Sequence, residues 1–159
     1  MFQSDENGVY AIVQASALRR TFAFGVLFAL GTMVIYTALM QPPAAILLVF
    51  MLGFGAGALW LAEKMRRATL SVIELTETEI RDSNGLVLAR MDEIIAVDRG
   101  AFAFKPSNGF TLKLKTKKPR AWAPGLWWRF GRRVGVGGVT SAGQAKFMAE
   151  QIALRIADD

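Results

Sequence analysis

Residues 21–40, TFAFGVLFALGTMVIYTALM, are followed by Gln41-Pro42-Pro43 and then by residues 44–62, AAILLVFMLGFGAGALWLA. Neither apolar run contains Asp, Glu, Lys or Arg. A helix rises about 1.5 Å per residue, so a hydrocarbon core of about 30 Å takes about 20 residues to cross, and each run is close to that length. Three residues are too few for a folded loop, and the paired prolines stop the first helix. The stretch therefore predicts a tight hairpin of two membrane-spanning helices.

The flanks orient it. Arg19 and Arg20 precede the first run, Lys64, Arg66 and Arg67 follow the second, and the connecting turn is uncharged. By the positive-inside rule both termini are expected in the cytoplasm. A cleaved signal peptide competes for the first run, but that run begins about twenty residues in and a second follows at once. Tyr36 and Trp60 fall near the ends of the runs, where aromatic rings anchor at the membrane interface. Gly53, Gly55 and Gly57 lie in the second run, where Gly53 and Gly57 form a small-xxx-small pair, and Gly25 and Gly31 lie in the first. Two readings of these glycines stand: they pack the two helices of the hairpin together, or they form a docking seam for another subunit.

Outward from the hairpin, hydrophobic residues make up 53 % of the 159-residue chain, too much for an ordinary soluble domain of this size. There is no cysteine and no histidine. Disulfides, Cys or His zinc sites, thiol nucleophiles and Ser-His relays are thereby excluded. The runs carry no ionisable group to serve as an ion site or proton relay, which speaks against transport by this chain alone. Asp92, Glu93 and Asp98 are the remaining carboxylate group, with no nucleophile or metal pattern beside them. No catalytic residue, metal or cofactor is expected.

The charge is polarised along the rest of the chain. Residues 68–98 hold seven acids and two bases, whereas residues 99–149 hold eleven bases and no acid. The period of the pattern also changes, to short β-rich runs between turn residues. Residues 69–75 alternate with period two, and residues 79–82 and 86–90 flank Ser83-Asn84-Gly85, a strong hairpin signal. Residues 93–98 read as a strand or a helical turn leading into one. Residues 101–105 and 110–116 read as a hairpin across Pro106-Ser107-Asn108-Gly109, and residues 133–137 as a last strand. Thr140 or Ser141 can cap a closing helix whose Ala145, Met148, Ala149, Ile152 and Ile156 share a face. The organisation expected is an N-terminal tail at 1–18, with 9–13 a helical turn or mobile, the hairpin at 19–67, and a cytoplasmic domain at 68–159.

Three stretches carry a family resemblance: Glu74-Leu75-Thr76-Glu77-Thr78-Glu79-Ile80, Met91-Asp92-Glu93-Ile94-Ile95-Ala96-Val97, and Arg132-Arg133-Val134-Gly135-Val136-Gly137-Gly138-Val139 before the closing helix. In this order, over about residues 68–157, the chain resembles the bacterial pleckstrin-homology-like domain. The resemblance implies a mainly β, bent antiparallel barrel of about seven strands, plugged by a C-terminal helix. A pair of spans before the domain is common in that family, which implies a bacterial inner membrane and a binding or scaffolding role. The strand count alone is also met by a split barrel of another kind.

Residues 117–133, KKPRAWAPGLWWRFGRR, join six bases to four aromatic rings with no acid. Indoles favour the headgroup level, and each Lys or Arg near an anionic leaflet contributes about 1 kcal/mol. The segment is expected as a loop contacting anionic lipid or a partner through Lys117, Lys118, Arg120, Trp122, Trp127, Trp128, Arg129, Arg132 and Arg133. The competing reading puts one or two of the tryptophans in the core. Nucleic acid ranks low, since a membrane is the nearer polyanion. The nearby glycines fit no phosphate-loop spacing and read as tight bends or close packing. The function expected is a non-catalytic accessory or scaffold subunit of an inner-membrane complex. The alternative is an anionic-lipid-binding module, and self-association is open in either case.

Overall fold

The computed structural model describes residues 4–100 and 106–158. Strand β1 (Val9–Gln14) leads into helices α1 (Ala17–Met40) and α2 (Ala45–Ala68). Strands β2 (Val72–Thr76), β3 (Glu79–Asp82) and β4 (Val87–Arg90) follow, then a 3-10 turn at Met91–Glu93. Strands β5 (Ile94–Asp98), β6 (Phe110–Ala123) and β7 (Trp127–Val136) precede helix α3 (Ala142–Asp158). The strand expected at 101–105 lies outside the described residues.

Both α1 and α2 are long and apolar enough to cross a membrane. Only 11 % and 17 % of their most apolar windows are buried within the protein, unlike the core helices of a soluble domain. Ile46, Phe22 and Phe50 are exposed on them. The two helices meet where they carry no side chain. A Cβ on Gly31 would lie 2.9 Å from the Gly55 carbonyl oxygen, and one on Gly55 would lie 2.5 Å from Ile35 Cγ1. Gly55, Ala58, Ala62 and Met65 form the buried stripe of α2. Such small residues let helix backbones approach closely.

Gly53 and Gly57 do not pack the hairpin, which corrects that reading of the pair. Each is two residues from Gly55, about 200° around a helix of 3.6 residues per turn. They face away from α1, and a Cβ on either would have nothing within 4 Å.

The described strands form two antiparallel sheets, ordered β1-β2-β3-β4 and β5-β6-β7, and no ladder closes them into one barrel. Residues 9–13 are neither helical nor a free tail. β1 pairs antiparallel with β2, Val13 opposite Ile73 and Ile12 opposite Glu74, with a register shift between Val9 and Ala11. Alternation explains this: Val9, Ala11 and Val13 are all buried, so the strand has one core face. The whole helical hairpin is thus the connection between two adjacent strands. Helix α2 continues to Ala68, so β2 begins later than the alternation from residue 69 suggests.

The Ser83-Asn84-Gly85 hairpin forms as expected, with Gly85 at φ 90° and Asp82 N–H bonded to Leu86 O. No hairpin across residues 106–109 is described; β6 pairs with β5 and β7 instead. Two seams separate the sheets. Along one, α3 lies against β1 and β5, and its Ala145, Met148, Ala149 and Ile152 are buried in the same core cluster as Val13, Ile94 and Leu112. Along the other, β4 faces β7 and side chains replace the missing ladder.

Candidate functional site

The basic aromatic segment is a β-ribbon and not a loop. β6 runs through Ala123, turns at Pro124-Gly125-Leu126, and returns as β7 from Trp127. The pairing steps from Lys113 opposite Arg133 to Lys118 opposite Gly131, then to Ala121 opposite Arg129. The extra residues all lie on β6, so the ribbon bends, and Gly131 accommodates the bend on β7 at φ 58°. The bend is deep enough that the two ends of β7 meet: Gly137 N–H donates to Leu126 O at 2.8 Å. The Trp128 indole lies on Gly135, where no Cβ would fit.

Strand alternation sorts the nine expected contact residues. Trp127 is buried, and its Nε1–H donates to Asp82 Oδ2 at 3.1 Å. Arg129, 8 % exposed, donates from Nη1 to Val87 O at 2.8 Å and Leu88 O at 3.3 Å, and from Nε to Pro119 O at 2.8 Å. Its guanidinium therefore bridges the β4–β7 seam. These two residues are corrections to the expected surface: their odd-numbered positions on β7 face the core, and their polar groups are engaged within the protein.

The other seven divide further. Lys117, Arg120, Trp122, Arg132 and Arg133 are exposed, while Lys118 and Trp128 are half-buried. Lys118 Nζ pairs with Glu93 Oε1 at 2.8 Å, and the Arg120 guanidinium sits 4.9 Å from the Phe130 ring centre. The surface is thus less cationic than its composition suggests.

What the sequence did not bring together is the contact between ribbon and hairpin. Lys64 Nζ lies 4.7 Å from the Trp60 ring centre and 4.9 Å from that of Trp122, a cation between two indoles from distant segments. The ribbon tip rests on the end of α2: a Cβ on Gly125 would be 3.2 Å from Met65 Cγ and Thr69 Cγ2. Nearby, Glu63 carries both Arg66 and Arg67, at 2.7 and 2.6 Å. Arg19 Nη1 donates to Thr140 O at 2.9 Å and Arg20 Nη1 to Thr69 O at 3.5 Å. Their only sequence signal is the basic flank, which reads as orientation and not as contact. Trp122→Ala should leave the fold intact and cost less than about 1 kcal/mol, as expected of an exposed cation–π contact. Chemical unfolding of the full chain measures this, and a larger loss would mean that Trp122 is a core residue.

Among the described residues, no group of three or more His, Cys, Asp or Glu side chains gathers in a metal-binding arrangement. Comparison with protein-family models, with curated proteins and with solved structures finds no significant match to this chain.

Proposed function

We propose that the chain is a non-catalytic, membrane-anchored accessory or scaffold subunit of an inner-membrane protein complex. In this reading α1 and α2 span the bilayer, and both termini lie in the cytoplasm with the sheet domain. One observation carries it: the hairpin is inserted between adjacent strands of a single sheet. A domain hung on one linker can swing, whereas one entered by β1 and left through β2 is held at both ends of the anchor. Arg19, Arg20 and the ribbon tip add contacts on the same side. A fixed orientation suits presenting one face to a partner, and Gly53 and Gly57 supply an open small-residue face on α2 for a partner helix. Sheets of four and three strands with a helix across one seam also support the pleckstrin-homology-like reading.

Purification from the native membrane in mild detergent should bring down stoichiometric companions. A double variant, Gly53→Leu with Gly57→Leu, should lose them while keeping the thermal unfolding profile of the parent. A chain that runs alone in every mild detergent would sink the scaffold reading.

The Lys64 position between Trp60 and Trp122 favours a second reading, in which the ribbon meets anionic lipid through Lys117, Arg120, Arg132 and Arg133. The full chain is the object to test, because a fragment starting at residue 68 lacks β1 and exposes the sheet edge. Reconstituted beside vesicles of anionic lipid, it should bind them with strong salt dependence. Equal binding to neutral vesicles removes the electrostatic contribution.

A further inference from the structure

The first turns of α1 and α3 start side by side, held by two backbone hydrogen bonds. Ser16 N–H donates to Val139 O at 2.8 Å and Ser141 N–H donates to Gln14 O at 3.1 Å, which together make Ala15 and Thr140 an isolated antiparallel bridge. A cavity of about 650 Å³ opens between them. Its polar lining is Gln14, Ser16, Arg19, Arg20, Ser141 and Gln144, and no acidic residue lines it.

The two arginines give the cavity its chemistry. Each guanidinium has five N–H donors. The bonds to Thr140 O and Thr69 O use one Nη of each and pin both side chains to the sheet domain. With no carboxylate in the lining, their charge is directed at whatever occupies the space, and guanidinium groups match phosphate oxygens well. The Ser16 side chain makes no capping bond, and the first turn of α1 adds partial positive charge at the cavity.

The wall on one side is apolar. Leu18 lines the cavity and is 81 % exposed, and Phe22, the next turn along α1, is 72 % exposed. The uncharged run begins at Thr21, directly after the arginines. A free phosphate ion has no use for that wall. An amphipathic anion does, with its charged head in the cavity and its chains along α1.

We infer that this cavity binds an anionic phospholipid, with Arg19 and Arg20 on the headgroup phosphate and Leu18 and Phe22 against the acyl chains. The inference rests on α1 spanning the bilayer, as proposed above, and shares no residue with the ribbon of residues 117–133. It makes the lipid a bridge between anchor and domain.

The test uses the full chain in neutral detergent, with retained lipid counted by native mass spectrometry. The probes are phosphatidylglycerol, phosphatidylcholine and inorganic phosphate. The wild type should retain one phosphatidylglycerol in clear preference to phosphatidylcholine, and millimolar inorganic phosphate should not displace it. The variant R19Q/R20Q should bind about thirtyfold more weakly, given about 1 kcal/mol for each of the two cations removed. Because those arginines also brace the domain, a second variant keeps them. Gln144→Glu retains the acceptor oxygen that Gln14 N–H uses at 3.1 Å and places a negative charge in the cavity. It should weaken retention to a similar degree with an unchanged unfolding profile.

Undiminished binding by folded Q144E, or equal retention of the two lipids, overturns the inference. Displacement by inorganic phosphate marks a free-anion site and overturns it as well. A chain that stays soluble and monomeric without detergent fails earlier, at the anchor itself, and so is distinguishable from these outcomes.

Discussion

Arg129→Met should destabilise the full chain by about 3 kcal/mol. Methionine roughly fills the aliphatic volume but offers no donor. Val87 O and Leu88 O on β4 and Pro119 O on β6 would lose the guanidinium that now satisfies them. Orphaned carbonyls that are wholly or partly buried cost about 1 to 3 kcal/mol each, and partial access to water moderates the sum. Exchanging a buried charge for an apolar group can be neutral when its partners leave with it. Here the partners are backbone and stay behind. Arg129→Lys should recover less than half of the loss, since one ammonium cannot fork between two strands. Chemical unfolding in detergent, followed by tryptophan fluorescence, reads both values. An Arg129→Met protein as stable as the parent would show that the β4–β7 seam is held by other contacts.

In the hairpin, Gly55→Leu should be the most disruptive change and Gly53→Leu nearly silent for the fold. The added Cβ at position 55 would collide with Ile35 Cγ1 at 2.5 Å and with the Gly31 carbonyl oxygen at 3.0 Å. Backbone lies on one side of the clash, so side-chain rotation alone cannot relieve it. The helices must separate along the stripe through Ala58 and Ala62, with overpacking losses of about 1 to 3 kcal/mol or more. Since the hairpin enters and leaves the sheet through neighbouring strands, the strain should reach the β1–β2 ladder. Hydrogen exchange should therefore quicken at β1 amides in Gly55→Leu and stay unchanged in Gly53→Leu. Similar exchange in the two variants would mean that the helices cross elsewhere.

The apolar runs, the prolines between them and the Asn84-Gly85 turn are local signals, and each forms the element expected. The face of α3 was equally readable, because helical spacing places Met148 and Ile152 on one side whatever they meet. Gly53 and Gly57 misled for a related reason: a small-xxx-small spacing marks a face that can be approached, without naming the helix that approaches. Gly31 and Gly55 make the contact, although no short motif joins them.

The charged aromatic segment shows the same limit. Composition identified an unusual stretch, but Trp127 and Arg129 could not be told from Trp122 and Arg120 until the strands were paired. Pairing assigns alternate residues to opposite faces, and the bulges in β6 set where that alternation shifts.

From the sequence alone came two apolar helices joined by a short turn, a polarised charge, the absence of Cys and His, and a β-rich remainder closed by a helix. These depend on residue type and near-neighbour spacing, which the chain carries in any conformation. Only the tertiary structure decided that β1 stands beside β2 with the hairpin between them, that Arg129 spans a seam, and that Arg19 and Arg20 line a cavity with the start of α3. Those facts join residues tens of positions apart, and that pairing arises only when burial of the shared core selects one register and one set of neighbours.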